Sequence, residues 1–345
     1  MNKNLNIIII VFLAIFIGSC SSTNYLTMTV TEPAPVYLSK DIQKIGIIDR
    51  SLPSEETKLL DNLDKILSIE GKELDKDGAS EIIKGLKDEL TGKNRFSKIL
   101  LLTKIDERSP GMGVFPAKLP WTKVDQICKR NKVDALYVLS FYDTDAKVDY
   151  KTVPVEIVNP LGVKIQTVEH HATITTTIKS GWRIYDNRNK SIQDEFVTNR
   201  SVVSHGKGIN PFKAIKAILD RKEAVMDVSN DMGRKYARRI FNFDIRVSRD
   251  YYVRGSDNFK IAKRRAQTGD WDGAADLWEM ELSNPKMKVA GRATYNMAII
   301  NEINGNLDEA LDWASKAYTD YNDKRALRYT NILKNRIEKN KQLYE

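Results

Sequence analysis

The stretch that decides the fold of the C-terminal part is GDWDGA, residues 269–274, because it recurs 36 residues later as GNLDEA, residues 305–310. A fixed period in this range is the signature of stacked helical hairpins. Gly269 and Gly305 stand where the chain turns between two helices, a position that favours a left-handed backbone. The alanine that ends each copy allows paired helices to approach closely. The repeat therefore predicts two helical hairpins in succession.

With this period and this chemistry the segment resembles the tetratricopeptide repeat. Residues 249–345 are interpreted as an all-α domain of that kind, in which a final helix over about residues 323–341 acts as a cap. The sequence departs from the family pattern at three positions. Arg265 and Asn301 stand where the family usually has an aromatic residue, and Glu281 stands where a small residue is usual.

The resemblance also implies a binding surface. Tetratricopeptide repeats bind peptides or protein segments in a groove lined by their first helices. By the family pattern, the candidate groove residues are Phe259, Lys263, Arg292, Tyr295 and Ile299. The two cations could pair with acidic side chains or a peptide carboxylate. The alternative is that the groove packs against the preceding domain and binds nothing else.

A second set of patterns predicts an α/β domain over residues 40–248. Three apolar runs have the length of buried strands, and they are KIGIID at 44–49, SKILLLT at 97–103 and VDALYVLSFY at 133–142. Helical patterns at residues 77–90 and 122–131 separate them. This β-α-β-α-β order implies parallel strands joined by helical crossovers.

The pattern changes after the third run. Residues 171–185 alternate in period two, which predicts a half-buried strand. The segment DNRNK at 186–190 has the composition of a turn. Residues 191–203 are interpreted as the returning strand of an antiparallel hairpin. Residues 211–243 are expected to be helical. Residues 147–169 contain two prolines and are interpreted as an inserted loop or small hairpin at a sheet edge.

This order of elements resembles a family of envelope proteins. The family includes the amino-terminal domain of the translocation protein TolB, the curli-secretion lipoprotein CsgG and the penicillin-binding-protein activator LpoB. KIGIID resembles their first strand, and GASEIIKGLKDEL at 78–90 resembles their first long helix. The resemblance covers about residues 40–245, with 147–169 as a departure. It implies a mixed sheet with helices and a role in binding and assembly without catalysis, and it allows a homo-oligomer.

The N-terminus carries targeting information. Residues 1–19 combine a short basic start with an apolar run and small residues before Cys20, which predicts a bacterial secretory signal peptide. The run is shorter than the roughly 20 residues of a membrane span. Residues 17–20 resemble a lipobox, which implies cleavage before Cys20 and acylation of its thiol and new amino terminus by palmitate-like chains. The alternative is an uncleaved N-terminal anchor.

The residues that follow predict the location of the protein. Residues 20–39 are polar with two prolines and are interpreted as an extended tether. They begin without an acidic cluster. By resemblance to known lipoproteins, that start favours the outer membrane, with the protein facing the periplasm.

The chain carries a net charge of +9. A basic surface on a tethered protein could attract anionic lipid head groups or acidic envelope polymers, and the alternative is a solvated basic face. Nucleic acid is not an expected partner, because export separates the protein from it. Cys128 lies on the apolar face of a predicted helix, where burial is expected.

The sequence predicts no catalytic, cofactor-binding or metal-binding residues. It has three histidines, and the adjacent His170 and His171 point to opposite faces of a strand. No zinc, phosphate-loop or nucleophile motif is present. The first hypothesis is a non-enzymatic envelope lipoprotein that binds protein partners as a scaffold or adaptor. The alternative is a structural subunit of an outer-membrane or secretion assembly, with residues 147–169 in the subunit contacts. An enzyme acting on envelope polymers is the less favoured third hypothesis.

Overall fold

A computed structural model describes residues 22–51, 62–103, 105, 115–158, 160, 162–218 and 221–344. The predicted signal peptide and Cys20 lie outside these residues. The described chain divides into a sheet unit, within residues 34–241, and a helical unit, formed by residues 22–33 together with residues 242–344. In the described ranges, no helix is both long and apolar enough to cross a membrane.

The strands are β1 (Thr23–Glu32), β2 (Lys44–Asp49), β3 (Lys98–Leu101), β4 (Ala135–Val158), β5 (Lys164–Asp186), β6 (Ser191–Gly208) and β7 (Phe243–Tyr252). The helices are α1 (Asn62–Gly92), α2 (Trp121–Asn131), α3 (Pro211–Lys216), α4 (Arg221–Ala237), α5 (Asp257–Gln267), α6 (Trp271–Glu279), α7 (Met287–Ile303), α8 (Leu307–Thr319) and α9 (Lys324–Tyr344), with a 3₁₀ turn at Arg238–Ile240.

The sheet unit is built on a five-stranded mixed sheet in the order β3-β2-β4-β5-β6. β2 pairs in parallel with both β3 and β4, which confirms the β-α-β-α-β prediction. Ile45 and Ile47 share a core with α1 and α4, whereas Ile48 shares a core with α2 on the other face. Helices on both faces explain why these strands are apolar throughout. Cys128 of α2 is buried in the second core, as expected.

The second half of the sheet is antiparallel, as predicted for residues 171–203. β5 alternates as expected, and the even-numbered residues from Ile174 to Ile184 are buried. Trp182 stacks on Tyr236 of α4 with ring centroids 4.9 Å apart. This face of the hairpin therefore closes the same core as β2.

Of the two interpretations of residues 147–169, the hairpin is confirmed, whereas the inserted loop is wrong and the segment is not a separate insertion at a sheet edge. β4 and β5 continue through this segment in an unbroken antiparallel register, from Lys147↔Thr175 to Val158↔Lys164. The segment is the far end of a long hairpin. Pro154, which has no backbone N–H, does not interrupt the hairpin. In this segment β4 pairs with β5 alone, and proline is tolerated on an edge strand where no N–H is needed toward a second neighbour.

The helical unit contains the predicted helical hairpins, α5–α6 and α7–α8, followed by α9. Gly269 and Gly305 adopt φ of +86° and +83°, so the left-handed turns expected from the repeat are confirmed. Ala274 and Ala310 are completely buried where the helices meet. The coarse assignment of a helical C-terminal region is thus confirmed, and the tetratricopeptide class stays a prediction.

Two predicted boundaries are wrong. Part of the segment interpreted as a tether, residues 20–39, forms β1, which pairs antiparallel with β7 along its whole length, from Thr23↔Tyr252 to Glu32↔Phe243. Both strands belong to the helical unit, which resumes at Asn242, so the predicted domain boundary at residue 248 lies inside β7. The physical reason is the alternation of Leu26, Met28 and Val30. Leu26 and Met28 pack with the helical core, and Val30 is also buried.

Candidate functional site

The predicted peptide groove is not open. Phe259, Tyr295 and Ile299 are between 0% and 2% exposed, so the prediction that they line an accessible groove is wrong. The reason is that the end of β7 packs onto α7, the first helix of the second hairpin, and onto α6, where the Tyr251 ring meets Trp271 and Trp278. Tyr251 and Tyr252 share one core with these three residues, and the rings of Tyr252 and Tyr295 meet edge-on at 5.4 Å. The groove therefore holds a strand of its own chain.

Asn296 of α7 holds this strand by its backbone. The amide oxygen of Asn296 accepts a hydrogen bond from the Tyr252 N–H at 2.7 Å, and its amide nitrogen donates to the Tyr252 carbonyl at 2.8 Å. Tyr252 can offer both groups because they point away from β1. The next N–H, on Val253, points the other way and donates to the Ser22 carbonyl at 3.0 Å. The buried side chain of Asn296 thus makes the two backbone hydrogen bonds that a neighbouring strand would otherwise make.

Side chains around the same point add further contacts. The Tyr295 hydroxyl donates to Asp250 at 3.1 Å, and the Tyr252 hydroxyl donates to Asp323 at 2.9 Å. Arg292, a predicted groove residue, donates to the Arg254 carbonyl at 2.6 Å and lies over the Tyr252 ring at 5.0 Å. Arg292 is therefore engaged by its own chain and does not face an open groove. Sequence reasoning missed Asn296, which has no pattern of its own.

A buried ionic network joins β7 to α7 and α9. Arg249 makes two hydrogen bonds to Glu302, at 2.7 and 2.8 Å, and Tyr329 and Arg336 also donate to this carboxylate. Burial alone would raise the pKa of Glu302, but the hydrogen bonds from Arg249, Tyr329 and Arg336 outweigh it and lower that pKa. Glu302 is therefore held as an anion.

Lys263, the remaining predicted groove residue, lines an open cavity of about 1150 Å³ in the helical unit. We call it the cationic cavity. Its walls come from the start of β1, the segment after β7, one face of α5 and the loop before α7. Its basic residues are Arg254, Lys260, Lys263, Arg264 and Lys286, and its one acidic residue is Asp257. Lys260 is 2.8 Å from Asp257. The cavity thus carries an excess of positive charge.

A buried carboxylate fixes two walls of this cavity. Glu281 accepts hydrogen bonds from Ser256 at 2.7 Å, Asn258 at 2.8 Å and Asn284 at 2.7 Å. Ser256 belongs to the start of α5 and Asn284 to the loop before α7, and both line the cavity. The departure from the repeat pattern at Glu281 therefore has a structural reason: its carboxylate ties these two segments together.

The sheet unit has a different exposed feature, the end of its long hairpin. We call residues 147–169 the distal ribbon. Ile157 and Ile165 lie directly opposite each other and are 49% and 42% exposed. Val158 and Val168, on the other face, are 65% and 46% exposed. In the described part of the chain, β4 and β5 have no further strand neighbour here, because β2 ends opposite Leu139 and β6 ends opposite His170.

The histidines lie near this ribbon. Tyr150 is hydrogen-bonded to His170 and stacked on it with ring centroids 5.6 Å apart. His171 lies 2.6 Å from Glu169, and His205 lies 3.1 Å from the Thr173 hydroxyl. Across the described residues, no group of three or more His, Cys, Asp or Glu side chains could hold a metal ion. Burial raises the pKa of the Cys128 thiol to about 12, which opposes formation of a reactive thiolate.

The fold places the chain among mixed α/β proteins with a helical C-terminal region. Two family models match the chain, and the boundary between them falls after β7, whereas the structural units divide before it, at Asn242. Residues 42–252, more than half of the chain, match the family described as Domain of unknown function (DUF8603), and the protein belongs to this family. This match ends with the last residue of β7. Residues 260–335 match a second model, Domain of unknown function (DUF6340). No curated protein matches the chain.

Similar solved structures include the PelC dodecamer from Paraburkholderia phytofirmans. It is 8% identical, with a TM-score of 0.25, covering 63% of this chain and 97% of PelC. A point variant of the same dodecamer in another crystal form is also 8% identical, with a TM-score of 0.26, covering 62% of this chain and 98% of its own. Scores this low do not establish a common fold, so no property of PelC is carried over.

Proposed function

We propose that this protein is a non-enzymatic lipoprotein of the bacterial envelope, held at the outer membrane by acyl chains on Cys20 and facing the periplasm. Its work is structural: it is a subunit that associates with further copies through the distal ribbon. The observation that carries this proposal is the exposure of apolar side chains on both faces of that ribbon. A ribbon of two strands gains little stability alone and is stabilised by packing against something else.

The edges of the ribbon support the same proposal. Open strand edges pair readily with another chain, and proteins usually shorten, charge or cover them. Here β4 continues past Leu139 for the rest of its length beside β5 alone. A second copy could add strands at these edges and cover Ile157 and Ile165 in the same contact.

The charges of the ribbon favour a second copy as the occupant. Residues 147–169 contain three lysines and three acidic residues, so their net charge is zero in a chain of net charge +9. Two ribbons therefore approach each other without the repulsion that basic surfaces would give. Opposite charges along paired strands also favour one register over others.

The test is the mass of the full-length lipidated protein in a nonionic detergent. Wild type is expected to form oligomers. Replacing the opposed pair, Ile157→Asp/Ile165→Asp, is expected to give monomers, because two carboxylates would have to be buried in the contact. The matched control is Val197→Asp/Val203→Asp, a pair similarly exposed on β6 outside the ribbon, which should keep the wild-type mass. A monomeric wild type, or an oligomeric ribbon variant, would refute the proposal.

The second candidate is the adaptor that binds a peptide in the repeat groove. What favours it is that α7 already binds an extended segment, with Asn296 holding the Tyr252 backbone. A partner would have to displace β7. A crosslinking pull-down from the native envelope compares wild type with Asn296→Ala, which removes both hydrogen bonds that hold β7 in the groove. A partner captured more strongly by the variant favours the adaptor, and self-crosslinks alone favour the subunit.

A further inference from the structure

We infer that the cationic cavity binds the phosphate-bearing head group of an anionic lipid. The inference rests on the lipid anchor of the proposed function and adds a second contact with the membrane. It does not depend on the distal ribbon, which belongs to the other unit.

The first reason is the number and origin of the charges. Arg254 follows β7, Lys263 and Arg264 lie on α5, and Lys286 precedes α7, so three separate segments bring cations to one cavity. The acidic Asp257 is paired with Lys260 on its own helix. Cations gathered in this way repel one another until an anion enters, and phosphate oxygens are the acceptors that arginine and lysine bind best.

The second reason is that the cavity walls are held in place before any ligand binds. Glu281 ties the start of α5 to the loop before α7 through Ser256 and Asn284. Arg292 fixes the main chain at Arg254. Because these wall segments are already ordered, binding costs less conformational entropy there, and only long basic side chains remain to be ordered.

The third reason is the position of the cavity along the chain. Val253, which lines the cavity, donates its N–H to the Ser22 carbonyl. Cys20 is two residues before Ser22, and two peptide units span at most about 7.6 Å. Acyl chains on Cys20 therefore keep the cavity close to the bilayer surface, where lipid phosphates are the most concentrated anions.

The size of the cavity distinguishes a head group from a free anion. A volume of about 1150 Å³ lies above the usual range for small-molecule pockets. It has room for a phosphate with its glycerol and the start of two chains. Several acyl chains already anchor the protein stably, so the expected effect of the cavity is to fix which side of the helical unit faces the membrane.

The experiment is calorimetric titration of the full-length lipidated protein in a nonionic detergent. The probes are dihexanoyl-phosphatidylglycerol, dihexanoyl-phosphatidylcholine and inorganic phosphate. Phosphatidylglycerol is expected to bind most tightly. A basic residue beside an anionic surface strengthens association about five-fold, so Lys263→Gln/Arg264→Gln is expected to weaken this binding about 25-fold, and Lys286→Gln alone about five-fold.

The matched control is Lys324→Gln/Lys334→Gln, which removes two exposed cations from α9 outside the cavity and should change the affinity less than two-fold. An equal loss in this control, or an unchanged affinity in the cavity variants, would overturn the inference. Equal affinities for inorganic phosphate and phosphatidylglycerol would overturn the lipid as the source. The monomeric Ile157→Asp/Ile165→Asp variant should bind phosphatidylglycerol like wild type, which separates this test from that of the ribbon.

Discussion

Replacing Asn296 by alanine tests whether the groove of the helical unit is held closed by its own strand. The substitution removes both hydrogen bonds to the Tyr252 backbone. Asn296 is fully buried, so water does not replace its amide directly. The Tyr252 N–H and carbonyl are then left without partners in a buried place.

The magnitude follows from those two groups. Leaving a buried donor or acceptor unsatisfied costs about 1–3 kcal/mol. Two such groups predict a loss of about 2–6 kcal/mol in the free energy of unfolding, and the lower figure applies if β7 moves and lets water in. That loss corresponds to a factor of roughly 30 to 20,000 in the equilibrium constant.

Two measurements follow the effect. Urea denaturation gives the free energy of unfolding, and hydrogen exchange gives the protection of amides in β7 and α7. The expected result is a loss of protection at Tyr252 and its neighbours that exceeds any loss in the sheet unit. A mere global destabilisation would lower protection throughout the chain.

Asn301→Ala is the matched control. Asn301 lies on the same helix, is half-buried, and makes a single hydrogen bond to the Met297 carbonyl one turn earlier. Its loss is expected to cost less than about 1 kcal/mol, because that carbonyl already accepts in the helix. If Asn296→Ala costs no more than Asn301→Ala, the claim that Asn296 holds β7 in the groove is refuted.

Three further predictions follow. Glu302→Gln should lower the free energy of unfolding by about 3–5 kcal/mol at pH 7. Because folding lowers the pKa of Glu302, its contribution is present above the ordinary pKa of about 4.3 and is lost as pH falls through the folded value; urea denaturation across pH 3–7 should show the gap to wild type narrowing in acid. Thiol titration of the mature protein should find no reactive group when folded and one, Cys128, in urea if Cys20 is acylated. Gly233→Ala should lower the melting temperature and cost about 1–3 kcal/mol, because a Cβ there would lie 1.9 Å from the Ile82 carbonyl oxygen between α4 and α1.

Each of these predictions has its own control. Glu309→Gln, at an exposed position on α8, should leave the pH dependence of unfolding unchanged. A thiol that reacts in the folded mature protein would contradict either the burial of Cys128 or the acylation of Cys20, and mass spectrometry distinguishes the two. Gly71→Ala is the match for Gly233→Ala, because a Cβ at Gly71 meets no atom within 4 Å and alanine favours a helix.

The candidate sites were predictable only in part. The repeat pattern identified Lys263 as a candidate site residue, but it predicted that Lys263 lines a peptide groove and not the cationic cavity. Tyr295 and Ile299 were misassigned because the same pattern fits an open groove and one filled by the chain's own strand. The ribbon was recognised by its prolines as a loop or small hairpin, but not as the continuation of β4 and β5. Asn296 gave no signal, since one buried asparagine in a helix has no periodicity.

The amino-acid sequence by itself determined the local elements: the three apolar runs of the sheet, the alternation of β5, and the turns at Gly269 and Gly305. Each feature is a continuous run, an alternation of period two or a repeat after 36 residues, so it can be recognised from a short part of the sequence. Only the tertiary structure decided that β1 pairs with β7, more than 200 residues away, that β7 fills the groove, and that cations from three segments meet in one cavity. Such contacts depend on which pairs of elements bury the most apolar surface against each other. All elements of the chain compete for these pairings, so no short part of the sequence determines them.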